Sequence, residues 1–111
     1  MEIKVRKLAG ATILDLKGAL LVGDAERLCR DSVREQVEAG ARKLAINLAG
    51  VPYMDSSGIG ALVRIYNSVQ QAGGHCRFYG ATTKGRQLLK MVRLDKVLEL
   101  MEDEASALDN L

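Results

Sequence analysis

Two short stretches of alternating apolar and polar residues open the chain and predict a pair of β-strands. Ile3 and Val5 alternate with charged residues, and a second apolar stretch follows at 13–16. Alternation with a period of two is typical of half-buried strands, and glycine between two such stretches favours a tight turn. The residues 9–11, Ala-Gly-Ala, lie between them, and Gly18 closes the second. An opening β-hairpin is therefore expected.

Helical spacing replaces this alternation from Asp24 onward. Apolar residues recur there at steps of three and four, on one face of a helix: Ala25, Leu28, Cys29, Val33 and Val37. Asp24 is predicted to cap the start of this helix, and Gly40 is predicted to be its C′ residue. The apolar run at 44–48 that follows predicts a buried strand.

The second half of the chain continues to alternate between the two patterns. After a loop at 50–54, helical spacing returns in an apolar set: Ile59, Leu62, Val63, Tyr66 and Val69. Gly73-Gly74 ends this helix. The remaining pattern predicts a strand at 76–79, a helix capped by Thr83, a short strand at 97–101 and a terminal helix at 103–111.

This order of elements predicts an α/β fold in which an opening hairpin is followed by parallel strand pairs. We expect one domain over residues 1–111, with a mixed sheet of four to five strands packed with about four helices. The composition includes one Phe, three Tyr and no Trp, so the core should be aliphatic. Sites in such folds favour loops at the carboxyl ends of strands, and the loop at 49–57 lies at such an end.

Charge and cysteine content narrow the function classes. The net charge is +2, and the longest basic excess, at 84–93, is interpreted as a solvated helix face. No aromatic platform accompanies it, so nucleic-acid binding is not predicted.

Cys29 and Cys76 lack CxxC spacing and are expected to be reduced core thiols. No apolar run approaches the roughly 20 residues that span a bilayer, and the N-terminus does not resemble a signal peptide. A cytoplasmic protein without membrane insertion is expected.

Catalytic, cofactor and metal motifs are not found in the sequence. The single histidine, His75, is predicted at the start of a strand and not beside a nucleophile, and the GxSxG motif is missing. The segment 80–87 has the outer glycine spacing of a P-loop but lacks the Lys and Ser/Thr that must follow. His75 and Cys76 should point to opposite sides of a strand, which makes a poor metal pair. We predict no catalytic residue, no cofactor and no metal.

The most informative segment is 55–62, Asp-Ser-Ser-Gly-Ile-Gly-Ala-Leu, at the start of a predicted helix. Asp55 or Ser56 can cap this helix. Gly58 and Gly60 each disfavour a helix by roughly 1 kcal/mol relative to Ala, which indicates that another group approaches the backbone closely. A helix N-terminus tolerates added negative charge, so a hydroxyl there can be phosphorylated. A plain capping motif explains the same residues about equally well.

The residues 53–62 closely resemble the signature of the STAS domain family, which includes the bacterial anti-sigma factor antagonists. The similarity extends to the strand end at 46–48, to the segment 16–20, to Gly73-Gly74 and to the segment 90–97. It covers essentially the whole chain.

The resemblance implies a regulatory function. In the family, the serine directly after the aspartate accepts the phosphoryl group; here that serine is Ser56, with Ser57 as the neighbouring alternative. The implied partner-binding residues are Asp24, Asp55, Ser56, Ser57, Gly58 and Ile59. Leu21 stands where family members that bind an anti-sigma kinase often carry an acidic residue, and Asp24 is expected to supply charge nearby.

The implied function is a phospho-switch in transcription regulation and stress-response signalling. The unphosphorylated protein would bind an anti-sigma factor/serine kinase, phosphorylation would release it, and a serine phosphatase would reset the switch. One alternative is a STAS accessory subunit of a lipid-transport or other signalling complex. Another, from a different class, is an enzyme that uses Ser56 as its nucleophile.

Overall fold

The computed structural model describes residues 1–111, and its elements follow the predicted order. These are β1 (Glu2–Leu8), β2 (Ala11–Lys17), α1 (Asp24–Glu38), β3 (Lys43–Gly50), α2 (Ser56–Gln71), β4 (His75–Tyr79), α3 (Thr83–Met91), β5 (Leu100–Met101) and α4 (Glu104–Leu108). The predicted α/β class is confirmed, with a mixed sheet of five strands and four helices. None of these helices combines the length and apolar composition needed to cross a membrane.

The sheet has the strand order β1-β2-β3-β4-β5, in which only β1 runs antiparallel to its neighbour. Ala9 and Gly10 join β1 to β2, and both have positive φ, 54° and 80°. Such turns match the right-handed twist of a hairpin. Because β2, β3 and β4 are parallel, their carboxyl ends meet at one edge of the sheet. The connections at 18–23, 51–55 and 80–82 therefore lie side by side.

The main core lies between the sheet and helices α1, α2 and α3. Phe78 is its single large aromatic side chain, and the rest is aliphatic apart from Met54, Cys29 and Cys76. A smaller cluster on the other face of the sheet contains Ala107 of α4. The expected aliphatic core is confirmed.

A polar network fastens α4 to the second face of the sheet. Arg6 bonds to both Asp15 and Glu104, and the Tyr79 hydroxyl donates to Glu104 at 2.7 Å. The guanidinium and hydroxyl donors hold the pKa of Glu104 below its usual range. This network belongs to the face of the sheet opposite α1, α2 and α3.

Helix starts were predicted less accurately than the helices themselves. Asp24 is not the N-cap of α1; that position is Gly23, whose φ of 102° suits glycine. Thr82, not Thr83, caps α3 by accepting a hydrogen bond from the Gly85 amide at 3.0 Å. Gly40 has a φ of 104° directly after the C-cap of α1, as predicted for a C′ residue.

The last elements are shorter than predicted. The strand expected at 97–101 reduces to Leu100–Met101, which pair with the end of β4. The preceding residues form tight turns instead, with the Leu98 amide bonded to the Leu94 carbonyl at 3.0 Å. These turns bury Leu98 completely. The terminal helix, expected over 103–111, ends at Leu108 and is capped by Asp103.

Buried thiols give the first prediction. Cys29 and Cys76 are both fully buried and unpaired, and burial raises the pKa of Cys29 to about 12 and shifts that of Cys76 upward as well. The thiolate is the reactive form, so the folded protein should not react with a disulfide reagent within minutes at about pH 8. Both thiols should react once guanidinium unfolds the chain. The exposed variant Lys7→Cys is the positive control and should label at once; rapid labelling of the parent protein would contradict the packing described.

Candidate functional site

The Asp55 carboxylate joins two loops at the start of α2. Its Oδ1 atom accepts a hydrogen bond from the Gly58 amide at 2.8 Å, which caps the helix. Its Oδ2 atom accepts one from the Val22 amide at 2.9 Å, in the connection between β2 and α1. These two N–H donors hold the pKa of Asp55 below its usual range, and the Val22 amide has the larger effect. Of the two candidate caps, Asp55 is the N-cap, and Ser56 is the first helical residue.

Backbone hydrogen bonds continue the pairing of β2 and β3 beyond the sheet. The Gly18 amide donates to the Gly50 carbonyl at 2.9 Å, and the Leu20 amide donates to the Tyr53 carbonyl at 2.8 Å. Leu20 also forms a parallel bridge with Met54, and both side chains are buried. The loop that carries Ser56 is therefore held by its neighbour along most of its length.

Gly58 is the point at which the two loops are closest. A Cβ atom on Gly58 would lie 2.1 Å from the carbonyl oxygen of Leu20, a distance that no side chain tolerates. The expected close approach to the backbone is thus confirmed at Gly58, and the approaching group is this carbonyl. It is not found at Gly60, where the atom nearest to an added Cβ would be an Arg64 side-chain nitrogen at 3.6 Å.

The predicted site residues differ in exposure. Ser56 is exposed, whereas Ser57 and Asp55 are partly buried. Gly58 is buried beneath Leu20, and Ile59 packs partly against the core. The structure therefore brings the predicted residues of the loop together at the start of α2, with Ser56 outermost.

Asp24 lies at the same edge of the fold. It begins α1, its side chain is fully exposed, and its nearest basic partner is Arg27 at 3.6 Å. It follows Val22 by two residues, and Val22 is bonded to Asp55. An acidic group therefore projects from the first residue of α1, directly after the connection that lies against the Ser56 loop.

The two connections that meet at the start of α2 carry exposed apolar side chains, which the sequence pattern did not predict as a group. Val22 is 71% exposed, Tyr53 is 59% exposed and Leu21 is 40% exposed. The ammonium group of Lys84, in α3, lies 4.8 Å from the centroid of the Tyr53 ring. The available signal was the apolar run that ends at Gly23, which is longer than β2 needs.

His75 lies far from the loop along the sheet. It pairs with Lys43 at the amino ends of β3 and β4, whereas Ser56 follows the carboxyl end of β3. Parallel strands place these ends at opposite edges, so His75 is not positioned to take a proton from Ser56. No group of three or more His, Cys, Asp or Glu residues is arranged to hold a metal ion.

An exposed serine that starts a helix, beside an aspartate that bonds to two loops at one edge of a mixed sheet, is the arrangement that the sequence resemblance to the STAS family implies. The sequence model of the STAS domain matches residues 2–107, and the chain belongs to that family.

Comparison with individual proteins agrees with this. The anti-sigma F factor antagonist of Paenibacillus polymyxa is 27% identical over 116 residues, covering all of this chain and 95% of that protein.

Two solved structures share the fold. The crystal structure of a candidate anti-sigma factor antagonist from Thermotoga maritima has a TM-score of 0.88 and 20% identity, covering 97% of this chain and 92% of that one. The Bacillus cell fate determinant SpoIIAA in its phosphorylated form has a TM-score of 0.74 and 19% identity, covering 98% of each chain.

Two glycines of the same helix should respond to alanine in opposite directions. Gly58→Ala should destabilise the fold by about 1–3 kcal/mol, because its Cβ would collide with backbone at Leu20. Gly60→Ala is the matched control and should stabilise by up to about 1 kcal/mol, because its Cβ would make only ordinary contacts with the Arg64 side chain and alanine favours a helix. Urea unfolding of both variants measures the difference. Equal effects would contradict the close approach at Gly58.

The double role of Asp55 predicts a pH-dependent contribution to stability. A carboxyl group whose pKa is lowered by folding stabilises the fold above its unfolded pKa, about 4, and loses that effect as the pH falls through the folded pKa. Asp55→Asn keeps one acceptor oxygen but presents N–H groups where the second is needed. Its thermal midpoint should lie below that of the parent at pH 7, and the gap should shrink in acid. Asp24→Asn, which removes a fully exposed carboxylate, is the control; a gap that stays constant with pH would refute this role.

Proposed function

We propose that this protein is an anti-sigma factor antagonist. In its unphosphorylated form it binds an anti-sigma factor/serine kinase, and phosphorylation of Ser56 releases that partner and so regulates transcription. The observation that carries the proposal is the exposed Ser56 directly after Asp55 at the start of the 16-residue helix α2, in a chain of the STAS family. The name of the Paenibacillus polymyxa relative and the phosphorylated form of SpoIIAA support it.

The acceptor position suits a phosphoryl group. Ser56 is accessible to a kinase, whereas Ser57 is partly buried, which favours Ser56 of the two. The kinase transfers the γ-phosphoryl group of ATP to the Ser56 oxygen, whose proton leaves. The product carries about −1.5 to −2 charges at pH 7. An anion gains roughly 0.3–1 kcal/mol at a helix N-terminus. Asp55 opposes this by like-charge repulsion, so the net effect on folding should be small.

The effect on a partner should be much larger. The two connections that meet at the Ser56 loop carry the exposed apolar side chains of Leu21, Val22 and Tyr53, which a partner can cover together with unphosphorylated Ser56. A phosphate at the centre of that contact must lose water without full pairing. An imperfectly paired charge costs about 2–5 kcal/mol in an interface, which weakens binding by roughly thirty- to several-thousand-fold. The interface effect therefore exceeds the folding effect.

Charge near the loop gives the partner a second point of recognition. Leu21 is apolar where family members often have an acid, and Asp24 is fully exposed three residues further along the chain. In this proposal Asp24 pairs with a basic group of the kinase. Leu21 then adds apolar contact in place of charge.

The proposal assigns the chain no catalysis and no cofactor of its own. The partner kinase binds ATP, and a serine phosphatase returns Ser56 to its free form. An enzyme in which Ser56 is the nucleophile would be labelled by a fluorophosphonate probe. We expect no such labelling, because His75 lies at the opposite edge of the sheet from Ser56.

Phosphorylation should map to Ser56. The purified protein is incubated with ATP and the anti-sigma factor/serine kinase of the same genome, and the modified peptide is sequenced by mass spectrometry. Ser57→Ala is the matched control and should be modified normally, whereas Ser56→Ala should not be modified. Phosphate on Ser57 alone would overturn the assignment.

The same variants separate binding from folding. Ser56→Ala should keep the parent affinity for the kinase, and Ser56→Asp should bind at least about tenfold more weakly, although a carboxylate is an incomplete copy of a phosphate. Amide spectra of the phosphorylated and free forms should differ only around residues 53–62. Shifts across the whole sheet would indicate a conformational switch and would contradict the electrostatic mechanism.

A further inference from the structure

Acidic residues are missing from a long central stretch of the chain. None occurs between Asp55 and Asp95, although residues 56–94 contain six Lys and Arg. With a net charge of +2 for the whole chain and +6 for this stretch, the remaining residues carry −4. Such a separation of charge within one small domain indicates a surface of one sign.

Only two of these six cations have an acidic partner within the chain. Arg64 pairs with Glu26 at 2.9 Å, and Arg77 lies 3.9 Å from Glu99. The others are exposed on α3 and the turn after it, and none forms an ion pair: Lys84, Arg86, Lys90 and Arg93. Their charge is available to a partner.

A hollow of about 350 Å³ lies between α3, which carries three of these cations, and the loop before α2. Val51 and Met54 are buried at its base, and Leu88 and Met91 of α3 form one wall. Met91 is 76% exposed, so its apolar side chain is accessible to a partner at the side of the hollow. Lys84 also lines the hollow.

We propose that this α3 surface, formed by the hollow with Lys84, Lys90 and Met91, docks an acidic amphipathic segment of a partner protein. An apolar side chain of the segment fills the hollow, and its carboxylates pair with the two lysines. Apolar anchors with a charged rim are the usual anatomy of such a contact. The identity of the partner as the anti-sigma factor/serine kinase rests on the proposed function.

Continuity with the Ser56 loop supports one partner for both sites. Tyr53 and Met54 line the hollow and precede Asp55 and Ser56 in the same loop. Lys84 lies over the Tyr53 ring, so the basic surface begins where the exposed apolar residues of the two connections end. A segment that reaches from the hollow along the loop would cover both without a gap.

The chemistry of the surface favours an acidic protein segment over other anions. Single-stranded nucleic acid is usually bound on exposed aromatic faces, and the single ring here, Tyr53, has Lys84 above it. A flat membrane surface would leave the concave hollow unfilled. An amphipathic segment satisfies both the apolar hollow and the unpaired cations.

The test uses a synthetic helical peptide with leucines on one face and glutamates beside them. Titrated into the isotopically labelled full chain, it should shift the amides of Tyr53 and of residues 84–91. Binding should weaken by about tenfold between 50 and 500 mM salt, because exposed charges are screened. A peptide with lysine in place of each glutamate is the control and should not bind. Equal binding of both peptides, or shifts elsewhere, would overturn the proposal.

Two variants and their matched controls locate the contact. Lys84→Glu and Met91→Ser should each weaken peptide binding by about three- to tenfold. Lys7→Glu and Leu8→Ser change exposed residues of β1 in the same way and should have no effect. Amide spectra of the free variants confirm that each remains folded. Binding unchanged in both α3 variants would refute the surface.

The partner kinase distinguishes this proposal from the proposed function. The α3 substitutions are made in the parent chain and in the Ser56→Ala chain. If the unsubstituted parent binds the kinase and the α3 substitutions weaken binding in both chains, both proposals are supported. If the peptide binds as described but the kinase does not, the proposed function fails and the α3 surface stands. The protein is also tested with vesicles that contain about 30% phosphatidylglycerol. If it binds these vesicles, if Lys84→Glu abolishes that binding, and if the peptide does not bind, the surface belongs to a membrane and the proposal is overturned.

Discussion

The Asp55 carboxylate joins the β2–α1 connection to the start of α2, and the candidate site depends on that double contact. One oxygen accepts from Gly58 and caps the helix; the other accepts from Val22 and holds the neighbouring loop. A neutral amide side chain could not replace the carboxylate, because both backbone donors require an acceptor. The same two donors hold the pKa of the Asp55 carboxyl group below its usual range.

The Leu20 carbonyl makes this arrangement possible only with glycine at position 58. The oxygen occupies the space that any Cβ would need. Glycine at this position has a lower helix propensity than alanine, but it permits the close contact between the loops. Gly60 makes no comparable contact. Two glycines that look alike in the sequence therefore serve different purposes, and only one of them is required by packing.

The parallel order of β2, β3 and β4 brings the three connections of the candidate site together at one edge of the sheet. The connections after β2, β3 and β4 meet there, and they lead into Asp24, Ser56 and Lys84 respectively. The side chains around them are apolar and exposed, and the cations of α3 are unpaired. A partner that covers this edge would meet an acidic residue on one side, Ser56 in the middle and a basic surface on the other.

Local patterns were sufficient for the class of fold and for the Ser56 loop. Alternation and helical spacing depend on neighbours within a few residues, so the order of nine elements and the start of α2 could be predicted. Caps were less certain, because Gly23 and Thr82 owe their roles to the direction in which the chain enters each helix. The final strand was predicted too long, because an apolar run at 97–101 fits either a strand or turns that bury Leu98.

Long-range contacts decided what the local patterns left open. No sequence spacing connects Val22 with Asp55, Leu20 with Gly58 or Lys84 with Tyr53, since the partners of each pair are about thirty residues or more apart. The sequence by itself determined the order of the elements, the aliphatic core and the capped start of α2, because these follow from periodicity and from residue chemistry. Only the tertiary structure decided which group approaches Gly58, which carboxylate oxygen holds which loop, and that the basic residues of α3 lie beside an apolar hollow, because those depend on how the sheet stacks its connections at one edge.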